Sequence, residues 1–409
     1  MKKFLALIAI LSLSPFALPC SSAIISGKAS PDGRPILWKH RDSREDENEL
    51  RWFHGDHFDF IGLVETRDTT GTQVWMGANN AGLAIINTNS YNLEKGRYRR
   101  PMDQDGFLMK EVLGSCGALE DFEQYLRETT GKRGVTANFG LIDARGGAAY
   151  YEVDPFHYVK YDANDSHAAP SGYLIRANFG FSGKKGEGAG YIRYQTLDKL
   201  FYWTNLDHRL NVEFLLMETT RCLKHDLLQI DLAHGNLPEN SNEQKLVLFR
   251  DYVVRFDSVS SMVIQGVKKD EDPRLTTIWT IPGFPLTTLT VPTWVAAGEN
   301  LPQTVRGENK NPSFLAKASL SLKQKCFPLR FREGKDYLNL SCILNRENTG
   351  ILQIILEMDR ENIRDTLEMI SEWRTKGFNK TEAQQYYIHL DQMIKDFYSN
   401  YFEYSESGD

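Results

Sequence analysis

Beyond its first 18 residues the chain has no apolar run long enough to cross a bilayer, so no later segment reads as a membrane span. No block or stripe of Lys and Arg stands out, which removes the electrostatic footprint of a nucleic-acid partner. Internal repeats and low-complexity linkers are missing too, which excludes a repeat array or a string of tethered modules. His54-Gly-Asp-His57 lacks a third metal ligand within reach by sequence and reads as a turn between strands. The glycine-rich run from Gly183 to Gly190 lacks the lysine-Ser/Thr ending of a phosphate loop, and reads as a mobile loop at a pocket rim. No cofactor and no metal is expected.

Cysteine is scarce, with five in 409 residues: Cys20, Cys116, Cys222, Cys326 and Cys342. Cys116 and Cys222 fall on helical patterns and read as buried thiols. Cys326 and Cys342 flank a hairpin-like stretch and are candidates for a disulfide in an oxidising compartment. Cys20 stands out by position. Met1-Lys2-Lys3 gives a positive start, and Phe4 to Leu18 is apolar apart from Ser12, Ser14 and Pro15. That is the pattern of a secretory leader over 1–19, too short and interrupted for a stable span. Its removal would take the formal charge from −6 to −8 by deleting Lys2 and Lys3. The remainder is expected to be periplasmic or secreted.

With 41% hydrophobic and 25% charged residues, the chain has the composition of a soluble globular protein of enzyme size. Strand-like runs dominate from Cys20 to Val153. Ser30-Pro-Asp-Gly33 predicts a hairpin between Ala23–Ile25 and Pro35–Trp38. Further strands are expected at 58–64, 72–75, 83–87, 139–143, 148–153, 174–177, 261–265, 276–281 and 286–291. Helical spacing marks 107–129, 192–203, 212–220, 358–376 and 381–401. The paired tyrosines Tyr386 and Tyr387, with Tyr398 and Tyr401, read as core. Asn138 reads as structural. Strands and helices in this order argue for α+β or layered α/β/α packing in one large domain. The soft stretch near residue 305 either separates a 20–300 body from a 301–409 extension packed on it or is a surface loop.

If the leader ends at Pro19, Cys20 carries its thiol beside its own α-amine. Their reference pKa values are about 8.5 and about 7.7–8.0. The amine can take the thiol proton and return it to a leaving amine, so one residue supplies nucleophile, base and acid. Such a site needs a carboxylate to orient the amine, a cation near the sulfur and donors for an oxyanion. In the strand Trp38-Lys39-His40-Arg41-Asp42, Lys39 and Arg41 share one face, with His40 and Asp42 on the other. Asp42 suits the α-ammonium, and Lys39 or Arg41 suits the sulfur. The competing reading is a solvated, charged strand end.

Cys20, the run Asp32-Gly-Arg-Pro-Ile-Leu-Trp-Lys-His-Arg-Asp42 and the run Gly77-Ala-Asn-Asn-Ala-Gly-Leu-Ala-Ile-Ile-Asn-Thr-Asn89 occur in this order. Downstream follow the hairpin Gly140 to Glu152, the strand Tyr173-Leu-Ile-Arg-Ala-Asn178, and Gly190-Tyr-Ile-Arg193. Over residues 20 to 295 this succession resembles the N-terminal nucleophile cysteine amidases, the group of choloylglycine hydrolase, penicillin V acylase, acid ceramidase and isopenicillin N acyltransferase. The resemblance implies a four-layer αββα sandwich with C-terminal helices added. It implies Cys20 as nucleophile and base, with Asp42 on the α-amine. Asn178 and Asn89 (or Asn87) become oxyanion donors, and Arg193 lies near the sulfur. Lys39 stands where the group has arginine, keeping the charge but losing the planar fork. Pro19 is a poor leaving position for signal peptidase, so self-cleavage enters. The expected reaction is hydrolysis of a small-molecule N-acyl amide, with acyl transfer to an amine as the alternative. An alternative of another class is a binding lipoprotein lipidated on Cys20. Whether the chain forms a homo-oligomer stays open.

Overall fold

The computed structural model describes residues 20–308 and 310–405; the expected leader, 1–19, lies outside the described residues. The chain opens with the predicted hairpin of β1 (Ser21–Ile25) and β2 (Ile36–Asp42), paired from Ser21–His40 to Ile25–Ile36. Its turn works as the residue types require. Asp32 Oδ1 accepts from Ser30 Oγ at 2.7 Å and from the Arg34 amide at 3.2 Å, and Gly33 takes φ 74°.

Next come β3 (Asn48–Phe53), β4 (Phe60–Glu65), β5 (Met76–Asn79) and β6 (Ala84–Asn89), then helices α1 (Asp105–Ser115) and α2 (Leu119–Glu128). Strands β7 (Ala137–Ile142), β8 (Ala148–Val153), β9 (Tyr158–Asp162) and β10 (Tyr173–Arg176) lead into α3 (Tyr191–Leu206) and the single turn α4 (Val212–Phe214). Two short ribbons follow, β11 (Lys224–His225) with β12 (Ile230–Asp231), and β13 (Leu246–Leu248) with the later β17 (Tyr337–Asn339). Strands β14 (Ser258–Gln265), β15 (Thr277–Ile281) and β16 (Val291–Thr293) precede α5 (Phe314–Cys326), α6 (Leu340–Ile343), α7 (Ile351–Lys376) and α8 (Lys380–Phe402).

Two antiparallel sheets result. One has the order β10-β1-β2-β14-β15-β16, the other runs β3 to β9 in chain order. Alternation sorts the side chains into layers. Ile24 and Leu37 meet Ile86, Ile142 and Tyr150 between the sheets. Ala23, Ile25 and Trp38 pack outward with residues of α3, α7 and α8, among them Phe201, Trp373 and Tyr387. On the far side Ile85, Phe139 and Tyr151 pack with Leu108, Val112 and Phe122 of α1 and α2. This is the expected αββα layering. Burying one face of each sheet on the other and the second face on helices leaves neither sheet with a bare apolar surface.

Several elements differ from their sequence readings. The helix expected over 107–129 is two helices. Asp143 Oδ2 accepts from the Leu119 amide at 2.9 Å and Asp121 Oδ2 from the Gly117 and Ala118 amides, so these side chains start a new helix after the Cys116–Gly117 break. The strand expected at 72–75 begins only at Met76. Segment 286–290 is buried but irregular, because Thr287 and Thr288 direct their hydroxyls to Phe284 O and to Ser319 of α5, and only Val291–Thr293 pairs as a strand. The 212–220 helix is one α turn continued by wider π turns over Leu215–Thr219. Helix α7 starts earlier than expected, at Ile351. Cys326 ends α5 and Cys342 sits in α6, with a 3-10 turn and β17 between them, so the hairpin is not formed and both thiols are free. Of the four C-terminal tyrosines, Tyr387 and Tyr398 are buried, whereas Tyr401 is 59% exposed. No helix among the described residues is long and apolar enough to cross a membrane.

Candidate active site

The β1–β2 register dictates the site. Ser21 pairs with His40, so Cys20 lies beside the end of β2, and its Sγ is 3.9 Å from the Asp42 carbonyl oxygen. Strand β10 flanks β1 on the other side, with Ser22 opposite Arg176, which brings Asn178 to the same end of the sheet. Helix α3 then turns Arg193 back onto β1. Its guanidinium donates to the Cys20 carbonyl at 2.7 Å, to Ser21 Oγ, and to Asn178 Oδ1 at 2.9 Å. An arginine can only donate, so Asn178 must present its oxygen to Arg193 and its amide group the other way. One Nδ2–H goes to the Asn89 carbonyl at 2.9 Å. Among the described residues no acceptor takes the second N–H. Cys20, Asn89, Asn178 and Arg193 thus come together from four separate elements.

Strand β2 is buried throughout, which overturns the reading of its end as solvated. The predicted division of faces holds in the contacts. His40 and Asp42 point toward Ser258, while Lys39 and Arg41 point toward the other sheet, Arg41 to Asn48 and Glu65. Asp42 is held by Ser258 Oγ at 2.7 Å and by an ion pair with Arg255. Ser258 Oγ also accepts from the Arg255 amide at 3.0 Å and meets His40 Nε2 at 2.7 Å. Its single proton goes to the carboxylate, so His40 must be the Nε2–H tautomer that donates to Ser258. Burial, with the Arg255 and Arg193 charges, holds the His40 imidazole well below its usual range, and the ring stays neutral. Burial raises the Asp42 carboxyl, against the pull of Arg255, Arg193 and Ser258. Burial and the nearby Arg255 charge lower Arg193, while Asp42 and Cys20 oppose that shift.

Lys39 does not lie against Arg193. Its ammonium donates to the Trp75 carbonyl and to Asn87 Oδ1, both at 2.6 Å, and Asn87 Nδ2 donates to Asp105 at 3.0 Å. Both ends of the Asn87 carboxamide are engaged, so Asn89 and not Asn87 is the asparagine of β6 placed beside Asn178. Asn138 clamps Thr88 Oγ1 and the Ala177 and Phe179 carbonyls, a structural tie across the two sheets. His54 is exposed and pairs with Asp59 at 2.9 Å. The other cysteines sit in surroundings that disfavour the thiolate. Burial pushes Cys116 and Cys222 up to about 11 and raises Cys326 and Cys342.

Arg255, Ser258 and Asp105 were not found from sequence. Arg255 and Ser258 enter because β14 pairs with β2, Ser258 opposite Asp42, a pairing between segments far apart in the chain. Recognising β14 as the partner of β2 would have pointed to them. Asp105 reads locally as an ordinary acid in the first turn of a helix.

No family model and no curated protein matches the chain. Among solved structures, the chain is similar to an N-acylethanolamine-hydrolyzing acid amidase ortholog from Caenorhabditis elegans, at 14% identity and TM-score 0.35, covering 62% of this chain and 93% of that one. It is similar to penicillin V acylase from Agrobacterium tumefaciens, at 11% identity and TM-score 0.35, covering 69% and 87%. It is similar to a conjugated bile acid hydrolase from Clostridium perfringens, at 10% identity and TM-score 0.38, covering 72% and 95%.

Proposed function

We propose that the chain, relieved of residues 1–19, is an exported hydrolase that cleaves linear N-acyl amides through a thioester on Cys20. The observation that carries this reading is the convergence of Asn178 and Arg193 on Cys20, beside a buried, ion-paired Asp42. The neutral α-amine of Cys20 takes the thiol proton, and the sulfur attacks the amide carbonyl carbon. The oxyanion that forms takes the remaining Nδ2–H of Asn178, with the Asn89 carboxamide as second donor. The intermediate collapses with loss of the amine, which receives the proton now on the α-ammonium, and a thioester remains. Water then adds to the thioester, releasing the carboxylic acid and restoring the thiol. Asp42 orients the α-ammonium, Arg193 fixes the Cys20 carbonyl and Asn178, and Lys39 supplies positive charge on the sulfur side.

Intact mass of the exported protein together with a panel of N-acyl amides tests this. A chain beginning at unmodified Cys20, releasing free amine from at least one amide and inactive as Cys20→Ala, is expected. A diacylglyceryl mass on Cys20, or turnover by Cys20→Ala at the wild-type rate, refutes it.

A further inference from the structure

Strand β5 stops at the Met76–Ile86 pair, so its ladder does not continue along residues 87–89 of β6. Lys39 reaches into that gap from the opposite sheet. It is 1% exposed, and two of its three N–H groups go to the Trp75 carbonyl and to Asn87. A buried ammonium is costly unless it is paired and hydrogen-bonded. Among the described residues, the only carboxylate in its hydrogen-bond chain is Asp105, reached through Asn87 and itself 4% exposed in the first turn of α1. Because the ammonium can only donate, the Asn87 carboxamide is forced to show its oxygen to Lys39 and its N–H to Asp105. The three side chains therefore form a polarised line from α1 toward the nucleophile.

We propose that Asp105 and Asn87 are positioning residues for the Cys20 reaction, holding the Lys39 ammonium charged and directed at the thiol. The inference rests on the thioester reading above. The charged groups facing Lys39 are Cys20 on its β1 side, Arg41 and Asp42 on its own strand, and Asp105 on α1, and Asp103 faces Asp105 in turn. Burial lowers Lys39 to about 8, with Cys20 and Asp105 resisting the shift and Arg41 adding to it. Burial and Asp103 raise Asp105 to about 7, against the Lys39 charge. Between these values both groups carry charge. Above about 8 the ammonium, and with it the support for a thiolate, is lost.

The test is the pH profile of kcat/KM on an N-acyl amide the wild type cleaves, paired with iodoacetamide alkylation of Cys20 read by peptide mass, both on the leader-free protein. Wild type should lose activity above pH about 8, where Lys39 loses its proton. Asp105→Asn withdraws the charge that favours the ammonium, so this limb should move down by about one pH unit, with about fivefold lower kcat at pH 8 and KM within about twofold. Lys39→Arg keeps a cation that does not titrate in this range, so it should remove the limb, also in combination with Asp105→Asn. Asp105→Asn with an unmoved limb, or Lys39→Arg with the limb intact, overturns the proposal, whatever happens to thermal stability. If the wild type cleaves no amide, the thioester reading fails. Alkylation then decides the positioning separately: slower reaction of Asp105→Asn at pH 8 supports it, and an unchanged rate overturns it.

Discussion

Replacing Asp42 by Asn changes neither shape nor volume, yet it removes the charge on which one end of the site is built. The Asp42 side chain is fully buried, and Arg255 opposite it is 11% exposed in its side chain. In the variant the amide oxygen can still take the Ser258 proton, but its NH₂ then faces the Arg255 guanidinium, donor against donor. Breaking a buried pair from one side costs about 3–5 kcal/mol. On the proposed mechanism, loss of the partner for the α-ammonium also removes oriented acid–base help, worth about 10²–10⁴-fold in rate. Urea denaturation measures the first quantity, and kcat/KM on a cleaved amide, with the N-terminus checked by mass, measures the second. A variant within about 1 kcal/mol of wild type and within about threefold in rate would refute both the pairing argument and the role of Asp42.

Two further outcomes follow from the same structure. Asp359 of α7 is fully buried, pairs with Arg221, and accepts from the Thr290 amide at 2.9 Å and hydroxyl at 2.8 Å, so Asp359→Ala should destabilise by about 3–5 kcal/mol in urea titration; a loss below about 1 kcal/mol would count against it. Burial tends to raise Asp32 and Glu271, but hydrogen bonds from Ser30, Arg34 and the Lys268 amide, with the Arg34 charge, hold both below their ordinary 3.8 and 4.5. Carboxyls lowered on folding add stability above their unfolded values and lose it as pH falls through the folded ones. Thermal melts should therefore drop from about pH 4.5 downward, and Arg34→Met should flatten that slope; an equal slope in the variant sinks the assignment.

The hairpin that places Cys20 was legible because its turn chemistry is local: Ser30, Asp32 and Gly33 each answer a backbone need within a few residues. The two faces of β2 were legible because side chains alternate along any strand. What could not be read was which distant segment each face would meet. Whether the charges of Lys39 to Asp42 are solvated or buried depends on β14 on one flank and on the gap beyond β5 in the facing sheet. Nothing near them in sequence carries that information. The break between α1 and α2 failed for a related reason. Apolar spacing runs on across Cys116 and Gly117, and of the two carboxylates that cap the new helix only Asp121 is local, while Asp143 comes from beyond the next strand. Segment 286–290 has strand-like residues whose hydroxyls are instead committed to α5, so tertiary hydrogen bonds outweigh propensity.

Helices α7 and α8 cover the outer face of the sheet that carries β1, with the Trp294 and Trp373 rings 4.9 Å apart and Tyr387 stacked beside them. The strand that follows Cys20 is made early in synthesis, whereas part of the cover on the outer face of its sheet, α7 and α8, is made only after residue 350. A chain halted before that point would leave Trp279 and Trp294 without the Trp373 and Tyr387 side chains that cover them. On the proposed reading, activity is thereby tied to completion of the chain as well as to release of Cys20, so a half-made protein would hold its thiol without the full scaffold around it.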